Sequence, residues 1–150
     1  MPLTLGRYAQ RISWAFLIVL PSCGSDHPIV VEEAWVRQIN PSQSVTAAYM
    51  EITNTGAVED RLLDITSPAC EAVELHEMVM DDAVMRMRRS GSIIVPAGGS
   101  VALEPGGYHA MLIRPKYTAS SGNEIPLTLR FEVAGEITIS ARVTAKGRGR

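Results

Sequence analysis

Hydrophobic and polar residues alternate in short stretches along most of this chain. Val, Ile, Thr and Tyr are frequent within the stretches, and Gly, Pro, Asn and Asp separate them. A period of two interrupted by turn residues is typical of β-strands, and no stretch keeps a helical period over three turns. The pattern predicts strands near residues 29–38, 45–53, 61–66, 72–80, 83–89, 99–103, 108–114, 125–133 and 136–144.

The last two predicted strands alternate most clearly. Their apolar faces consist of Leu127, Leu129, Phe131 and Val133 on the first strand, and Ile137, Ile139, Ala141 and Val143 on the second. A three-residue loop at 134–136, with Gly135 at positive φ, would stack the two faces. Val133 would then pair with Ile137, and Phe131 with Ile139. The strands together predict an all-β fold, a single antiparallel β-sandwich domain.

The first 22 residues have the layout of a secretory signal. Arg7 and Arg11 precede a short apolar run at 14–20, and the segment ends with small residues before Cys23. The apolar run is too short for a spanning helix, which needs ~20 residues. Residues 20–23, Leu-Pro-Ser-Cys, resemble a bacterial lipobox. This resemblance predicts a lipoprotein signal with Cys23 as the lipid-modified first mature residue. Because Pro21 is unusual in a lipobox, cleavage without lipidation stays open.

The rest of the chain is predicted to be one exported domain. We expect a short lead-in at 23–28, the β-sandwich at 29–145 and a disordered basic tail at 146–150. Segment 1–22 contains two of the 14 basic residues and none of the 16 acidic ones, so the mature chain has a net charge of about −4. That charge argues against nucleic acid as a partner. The length fits a monomer that needs no disulfide framework.

The two cysteines permit three interpretations. If Cys23 is lipidated, Cys70 is a lone thiol in an oxidising compartment. The favoured prediction for Cys70 is a small buried residue at a strand edge. Cys70 lies six residues before His76, an even spacing that would place both on one strand face, so a position near a metal is a second interpretation. The third is a Cys23–Cys70 disulfide, which would require that Cys23 escape lipidation.

Candidate metal donors concentrate between residues 74 and 111. Five of the seven methionines and two of the three histidines fall in this window. Thioethers and imidazoles are neutral, fairly soft donors that suit monovalent copper. The donor types therefore favour copper over magnesium or calcium, although each of these residues taken singly is better explained by a role in the core or on the surface.

Strand periodicity predicts how these donors share a face. His76, Met78 and Met80 point one way, because side chains two apart lie on one face of a strand. A two-residue loop at Asp81-Asp82 would place Met78 opposite Met85 and His76 opposite Met87. A four-residue loop would keep the shared face but pair Met78 with Met87, and a three-residue loop would separate the donors.

Four of the donors lie at a recognisable spacing. Ten, 21 and one residue separate His76, Met87, His109 and Met111. This spacing resembles the signature of the periplasmic copper chaperones of the PCu(A)C type. Short segments that resemble the corresponding sequence segments of that family lie at 34–37, 49, 54–56, 60–62, 73–76, 94–98 and 105–109. The resemblance therefore covers roughly residues 29–144. It implies a cupredoxin-like sandwich that binds Cu(I) through these two histidines and two methionines.

The resemblance also implies a function. Such a protein delivers Cu(I), outside the cytoplasmic membrane, to the dinuclear copper centre of cytochrome c oxidase subunit II, alongside a Sco-type thioredoxin-like protein. We therefore expect it in the periplasm or on the outer face of the cell membrane, with membrane contact only through the lipid anchor. Some family members have a His- and Met-rich C-terminal extension for divalent copper. Residues 145–150 contain neither residue type, which argues against a second site there.

The remaining donors have weaker assignments. Met50 is expected in the core, and His27 is not expected to be a ligand. Met78, Met80 and Met85 are assigned either to packing or to an outer set of methionines around the site. The charged residues Arg86, Arg88 and Arg89 either steer an acidic partner or form a solvated strand face.

Two other functions stay open beside the chaperone, and two further classes of protein are not expected. A periplasmic protein that sequesters copper or silver for metal resistance would use the same ligands. A structural envelope lipoprotein would use the methionines only for packing. A blue-copper electron carrier needs a cysteine ligand, and none stands near His109. An enzyme is not expected, because no Ser/His/Asp, Cys/His or paired-carboxylate arrangement stands out.

Overall fold

The computed structural model describes residues 28–38, 42–116 and 122–145, and these residues form an all-β domain. Its ten strands are β1 (Ile29–Arg37), β2 (Val45–Asn54), β3 (Asp60–Thr66), β4 (Ala72–Asp81), β5 (Val84–Arg89), β6 (Ile93–Val95), β7 (Ser100–Leu103), β8 (His109–Ile113), β9 (Glu124–Phe131) and β10 (Glu136–Thr144). Within the described residues, no helix has the length and apolarity that crossing a bilayer requires. The predicted signal 1–22, Cys23, His27 and the tail 146–150 lie outside the described residues.

Nine of the ten strands match predicted ones, and β6 is the strand that the hydrophobic pattern missed. β6 has only three residues, too few to establish a period of two. Ile93 and Val95 are buried, whereas Ile94 between them is exposed. The strand pairs with β3 through Leu62↔Ile93 and ends before Pro96.

The strands form one continuous, mostly antiparallel sheet. Neighbouring strands follow the order β5-β4-β8-β2-β1-β10-β9-β3-β6, and β7 pairs with β2 beyond the end of β8. The single parallel pair joins β1 to β10, with Trp35 opposite Arg142. The predicted antiparallel sandwich is thus confirmed, with this one parallel pair as an addition.

The core lies between the two halves of this sheet. Leu62, Leu127 and Leu129 from β3 and β9 belong to the same buried cluster as Ile52 of β2 and Leu112 of β8. Burying an aliphatic side chain of this size contributes about 1.5–3 kcal/mol. In the first half of the sheet, β4, β8, β2 and β1 therefore each have one face in the core, whereas β5 at its end is exposed throughout.

The register predicted for the C-terminal hairpin is wrong, although the apolar residues of the two strands still lie opposite one another, as in Ile139 with Leu127. Ile137 pairs with Leu129, not with Val133. β9 ends at Phe131, and Val133 is 63% exposed. The cause is Asp60, whose carboxylate accepts hydrogen bonds from the backbone N–H groups of Val133 and Ala134, at 2.9 Å each. These bonds draw the segment out of the strand. Gly135 has the expected positive φ of 78°.

Candidate metal centre

The β4–β5 hairpin holds most of the candidate donors, and its register differs from the favoured prediction. Met78 pairs with Met87, Met80 with Met85, and His76 with Arg89. The predicted pairs Met78–Met85 and His76–Met87 are therefore wrong. The donors keep their common face, as in the alternative in which Met78 pairs with Met87.

The turn explains this register. Asp81 and Val84 still pair, so the loop consists of Asp82 and Ala83. Both loop residues have positive φ, 48° and 63°, as a type I′ turn requires. Asp tolerates this conformation, but Ala rarely adopts it, so its residue type did not indicate that the turn includes Ala83.

β8 lies beside β4 and brings the second group of donors to the hairpin. His76 pairs directly with His109, and Glu74 with Met111. Because side chains alternate along each strand, these residues share the face that points away from the core. The intervening residues Leu75 and Ala110 are buried in the core cluster.

The two imidazoles lie side by side, each with one ring nitrogen held by the protein. Their ring centroids are 5.9 Å apart, with an angle of 30° between the planes. The Nδ1 of His109 lies 3.1 Å from the carbonyl oxygen of Gly107. Since a carbonyl only accepts, Nδ1 bears the proton and Nε2 keeps a lone pair for a ligand.

His76 has the opposite arrangement. Its Nε2 lies 3.0 Å from Oε2 of Glu74, and its Nδ1 is buried without a hydrogen-bond partner among the described residues. An ionised Glu74 accepts a hydrogen bond from Nε2–H, which leaves the lone pair on Nδ1. A buried nitrogen without a partner costs free energy unless something binds it, and a soft metal ion would do so.

Glu74 is kept ionised by its neighbours. The hydrogen bond from His76 lowers the pKa of the Glu74 carboxyl, and the positive charge of Arg89 acts in the same direction. Arg89 Nη1 lies 3.5 Å from Glu74 Oε1. Glu74 is a part of the site that was not predicted from the sequence. Its position two residues before His76, on the same strand face, was the available signal.

An open cleft of about 380 Å³ lies on this outer face. Met87, His109 and Met111 line it together with Met78, and Pro105 and Gly106 form part of its wall. His109 is buried, whereas Met87 is half exposed. His76 does not line the cleft itself but lies next to His109 on the neighbouring strand.

The donor set fits a soft monovalent ion better than a hard divalent one. The described residues contain no group of three or more His, Cys, Asp and Glu side chains arranged around a metal. Two imidazoles and two thioethers form a neutral set of the kind that monovalent copper accepts. The role of His76, Met87, His109 and Met111 as ligands stays a prediction.

The aromatic residues of the flanking segments lie beside the cleft. The rings of Trp35 and Tyr49 have centroids 4.4 Å apart, and the Arg37 guanidinium lies 5.7 Å from the centre of the Tyr49 ring. Arg37 and Tyr49 also line the cleft. These contacts stabilise the cleft wall by about 0.5–1.5 kcal/mol for the aromatic pair.

Two other assignments from the sequence are confirmed. Met50 is buried in the core. Cys70 is a free thiol buried in the same core cluster, as its favoured prediction expected, and it does not line the cleft. Burial raises the pKa of the Cys70 thiol, so the thiolate form is disfavoured.

The three arginines of β5 are exposed and form ion pairs within the hairpin. Arg86 and Arg88 lie 3.5 Å and 3.2 Å from the Asp81 carboxylate. Arg89 pairs with Glu74. Exposed pairs of this kind contribute little to stability, with a median near 0–1 kcal/mol. A steering role for these arginines stays a prediction.

Comparison with known proteins identifies the family. The model of the LpqE-like family, described as "Putative lipoprotein LpqE-like", matches residues 29–143. The relative named "Putative lipoprotein Lxx21020", from Leifsonia xyli subsp. xyli (strain CTCB07), is 35% identical over 104 residues, which are 69% of this chain and 61% of that protein. The chain spans less than two thirds of the length of the curated relatives it matches, 61% and 64%.

Solved structures give the same relationship. The copper-bound PCuAC domain from PmoF2 is 30% identical with a TM-score of 0.68, over 79% of this chain and 94% of that domain. The solution structure of CuI-DR1885 from Deinococcus radiodurans is 30% identical with a TM-score of 0.60, over 81% of this chain and 80% of that one. The chain therefore belongs to the LpqE-like family, and it has the fold of the PCuAC domains.

Proposed function

We propose that the protein is an extracytoplasmic copper chaperone that binds Cu(I) through His76, Met87, His109 and Met111. The observation that supports this most strongly is the pair of adjacent imidazoles. Nδ1 of His76 is buried without a hydrogen-bond partner among the described residues, and His109, whose Nδ1 lies near the carbonyl of Gly107, lines the cleft. Copper is present in the two related structures described above, the PmoF2 domain and CuI-DR1885.

The donor chemistry suits a carrier rather than a catalyst. Neutral imidazoles and thioethers bind Cu(I) without releasing a proton from a thiol. An acceptor site with cysteine thiolates offers stronger donors and can take the ion by ligand exchange. Because Met87 is half exposed at the cleft, an acceptor can approach this ligand directly.

The destination that we propose is the dinuclear copper centre of cytochrome c oxidase subunit II, with a Sco-type protein as a second partner. Export through the segment 1–22 and a lipid on Cys23 would hold the protein at the outer face of the cell membrane. The lipoprotein names of the family and of the Leifsonia relative support this location.

Anaerobic titration with Cu(I) tests the binding site. The wild type should bind one equivalent tightly at the four donors, and His109→Ala should lose most of that affinity. Met87→Leu removes a thioether at nearly constant volume and should also weaken binding. Met50→Leu is the matched control, because Met50 is buried in the core and its replacement should leave binding unchanged. Equal affinity in all three variants would remove the proposed site.

Deletion of the gene tests the destination. Loss of cytochrome c oxidase activity that added copper restores would support delivery. Copper or silver sensitivity with normal oxidase activity would instead support sequestration for metal resistance. The His109→Ala gene should fail to complement either phenotype if the copper site is responsible.

A further inference from the structure

The hairpin has more methionines on its outer face than the four-donor site uses. Met80 and Met85 form the cross-strand pair nearest the turn, and Met78 and Met87 form the next pair toward the histidines. On the opposite face the corresponding pairs are Glu77 with Arg88, Val79 with Arg86 and Asp81 with Val84. The thioethers are therefore confined to the face that contains the candidate metal centre.

Packing does not explain the outer pair. Met80 is 67% exposed and Met85 is 47% exposed, and neither belongs to the core cluster or its partly buried neighbours. Both residues lie beside the edge of the sheet, because β5 is its terminal strand. Two large apolar side chains in water at one cross-strand position need a reason other than burial.

The geometry of the pair suits a soft ion. Directly opposed residues of an antiparallel pair have Cβ atoms about 4.5–5.5 Å apart, and methionine side chains are flexible enough to converge from that distance. Thioethers are among the ligands that select Cu(I). They are also uncharged, so the site needs no deprotonation to form.

We propose that Met80 and Met85 form a second, weaker Cu(I) site at the hairpin tip, from which the ion passes to the inner pair and the histidines. The inference rests on the proposed function, because the second site would supply Cu(I) to the candidate metal centre. Successive pairs on one strand face are about 7 Å apart, which flexible methionine side chains can span. Transfer is ligand exchange: bonds to Met80 and Met85 break as bonds to Met78 and Met87 form. Copper remains monovalent and no proton moves.

Titration with Ag(I), a probe with similar donor preference, tests this proposal through the ε-methyl NMR signals of the methionines. In the wild type, the first equivalent should shift the signals of Met87 and Met111. The second equivalent should shift those of Met80 and Met85. The double variant Met80→Leu/Met85→Leu should lose the second phase and keep the first.

Matched variants make the outcome clear. Leucine keeps the size and apolarity of methionine, and substitution at exposed positions leaves the fold intact, within roughly 0.5 kcal/mol. Met50→Leu should retain both phases. In His76→Ala/His109→Ala, Ag(I) should still shift the Met80 and Met85 signals although the histidine site is gone.

The results separate this inference from the proposed function. If the first equivalent binds but the Met80 and Met85 signals never move, the second site is overturned and the chaperone proposal stands. If Ag(I) binds only at Met80 and Met85 in the wild type, the four-donor site fails and the second site stands. If the double variant takes up both equivalents, the second ion binds at other residues, and the inference is wrong.

Discussion

At the scale of single residues, two carboxylates have specific structural roles: Glu74 acts on a neighbour two residues along its own strand, and Asp60 acts on a segment more than 70 residues later. Glu74 accepts a hydrogen bond from the His76 ring and thereby leaves Nδ1 free for a ligand. Asp60, buried at the start of β3, accepts backbone hydrogen bonds from Arg61, Val133 and Ala134. One carboxylate prepares the candidate metal centre, and the other fixes the chain path after β9.

We expect Glu74→Leu to weaken Cu(I) binding by about 10- to 100-fold, because the partner of a ligating histidine fixes its tautomer and orientation. Glu74→Gln keeps an acceptor for Nε2–H and should recover part of the affinity. A competition titration against a Cu(I) chelator measures both. Glu71→Leu is the control, since Glu71 is exposed and pairs only with Arg114 among the contacts described. Equal losses at positions 71 and 74 would contradict a specific role for Glu74.

Asp60 should make stability depend on pH in the acid range. Burial alone would raise the pKa of Asp60, but the backbone hydrogen bonds from Val133, Arg61 and Ala134 outweigh it and lower the pKa. A lowered folded-state pKa means that the stabilisation is fully present above the unfolded-state pKa near ~3.9 and disappears as the pH falls below it.

Chemical denaturation between pH 7 and pH 3 measures this effect. The free energy of unfolding of the wild type should decrease as the pH is lowered past about 4. Asp60→Asn should be less stable at neutral pH, and its free energy of unfolding should depend less on pH in the acid range. At pH 7 the loss should be on the order of 2–3 kcal/mol, the cost of hydrogen bonds to a charged group. Asp64→Asn is the matched control, because the Asp64 carboxylate is half-buried and accepts one backbone hydrogen bond, from Ile65, and it should lose much less stability than Asp60→Asn. A steep pH dependence of Asp60→Asn in the acid range would assign the effect to other groups.

At the scale of elements, the β4–β5 hairpin sets the positions of most candidate donors through its turn. The turn lies one residue later than predicted, at 82–83 instead of 81–82, and this shifts the pairing register by two residues. A two-residue shift changes which donors are opposite one another but preserves the face on which they lie. The observed turn places Met87 opposite Met78 and moves it one pair away from His76. The hairpin therefore pairs methionine with methionine, at Met78–Met87 and Met80–Met85, instead of pairing His76 with Met87.

Ala83 is the residue of this turn whose backbone conformation reduces the stability of the protein. At φ of 63° it lies in the left-handed region, where a Cβ atom costs roughly 1–2 kcal/mol. Ala83→Gly creates the Asp-Gly pair that type I′ turns favour, and we expect it to stabilise the protein by about 1 kcal/mol. Thermal or chemical unfolding measures the change, with Cu(I) affinity expected to stay the same. Gly135→Ala, at φ of 78°, is the inverse control and should destabilise. A less stable Ala83→Gly protein would contradict the assigned turn.

At the scale of the whole molecule, the sandwich gives β4 and β8 one face in the core and one outer face that contains the candidate donors. Leu75, Ala110 and Leu112 anchor β4 and β8 in the core. The alternate residues, including His76 and His109, therefore stay on the outer face in a fixed relation to each other. The rigid core gives a set of neutral donors a defined geometry before any metal binds.

Periodicity and residue chemistry were sufficient for the fold class and for the donor types. Side chains alternate along every strand because of local backbone geometry, so nine strands and the shared face of His76, Met78 and Met80 could be predicted without tertiary information. The short strand β6 was missed, because three residues contain too little pattern.

The two registers were the main errors, and both have a cause outside the strand concerned. The C-terminal hairpin shifts because Asp60, more than 70 residues earlier in the sequence, binds the backbone of Val133 and Ala134. The β4–β5 hairpin shifts because Ala83 adopts a conformation that its residue type does not signal. Neither interaction is visible in the alternation of polar and apolar residues.

The sequence by itself determined an all-β domain and a set of soft, neutral donors, because strand periodicity and ligand chemistry are properties of local residues. Only the tertiary structure decided which donors meet. The pairing of β4 with β8 brings His76 beside His109 across 33 positions of the chain, and this pairing depends on the free energy of the whole sheet. The free Nδ1 of His76 and the exposed pair Met80–Met85 likewise follow from packing rather than from sequence.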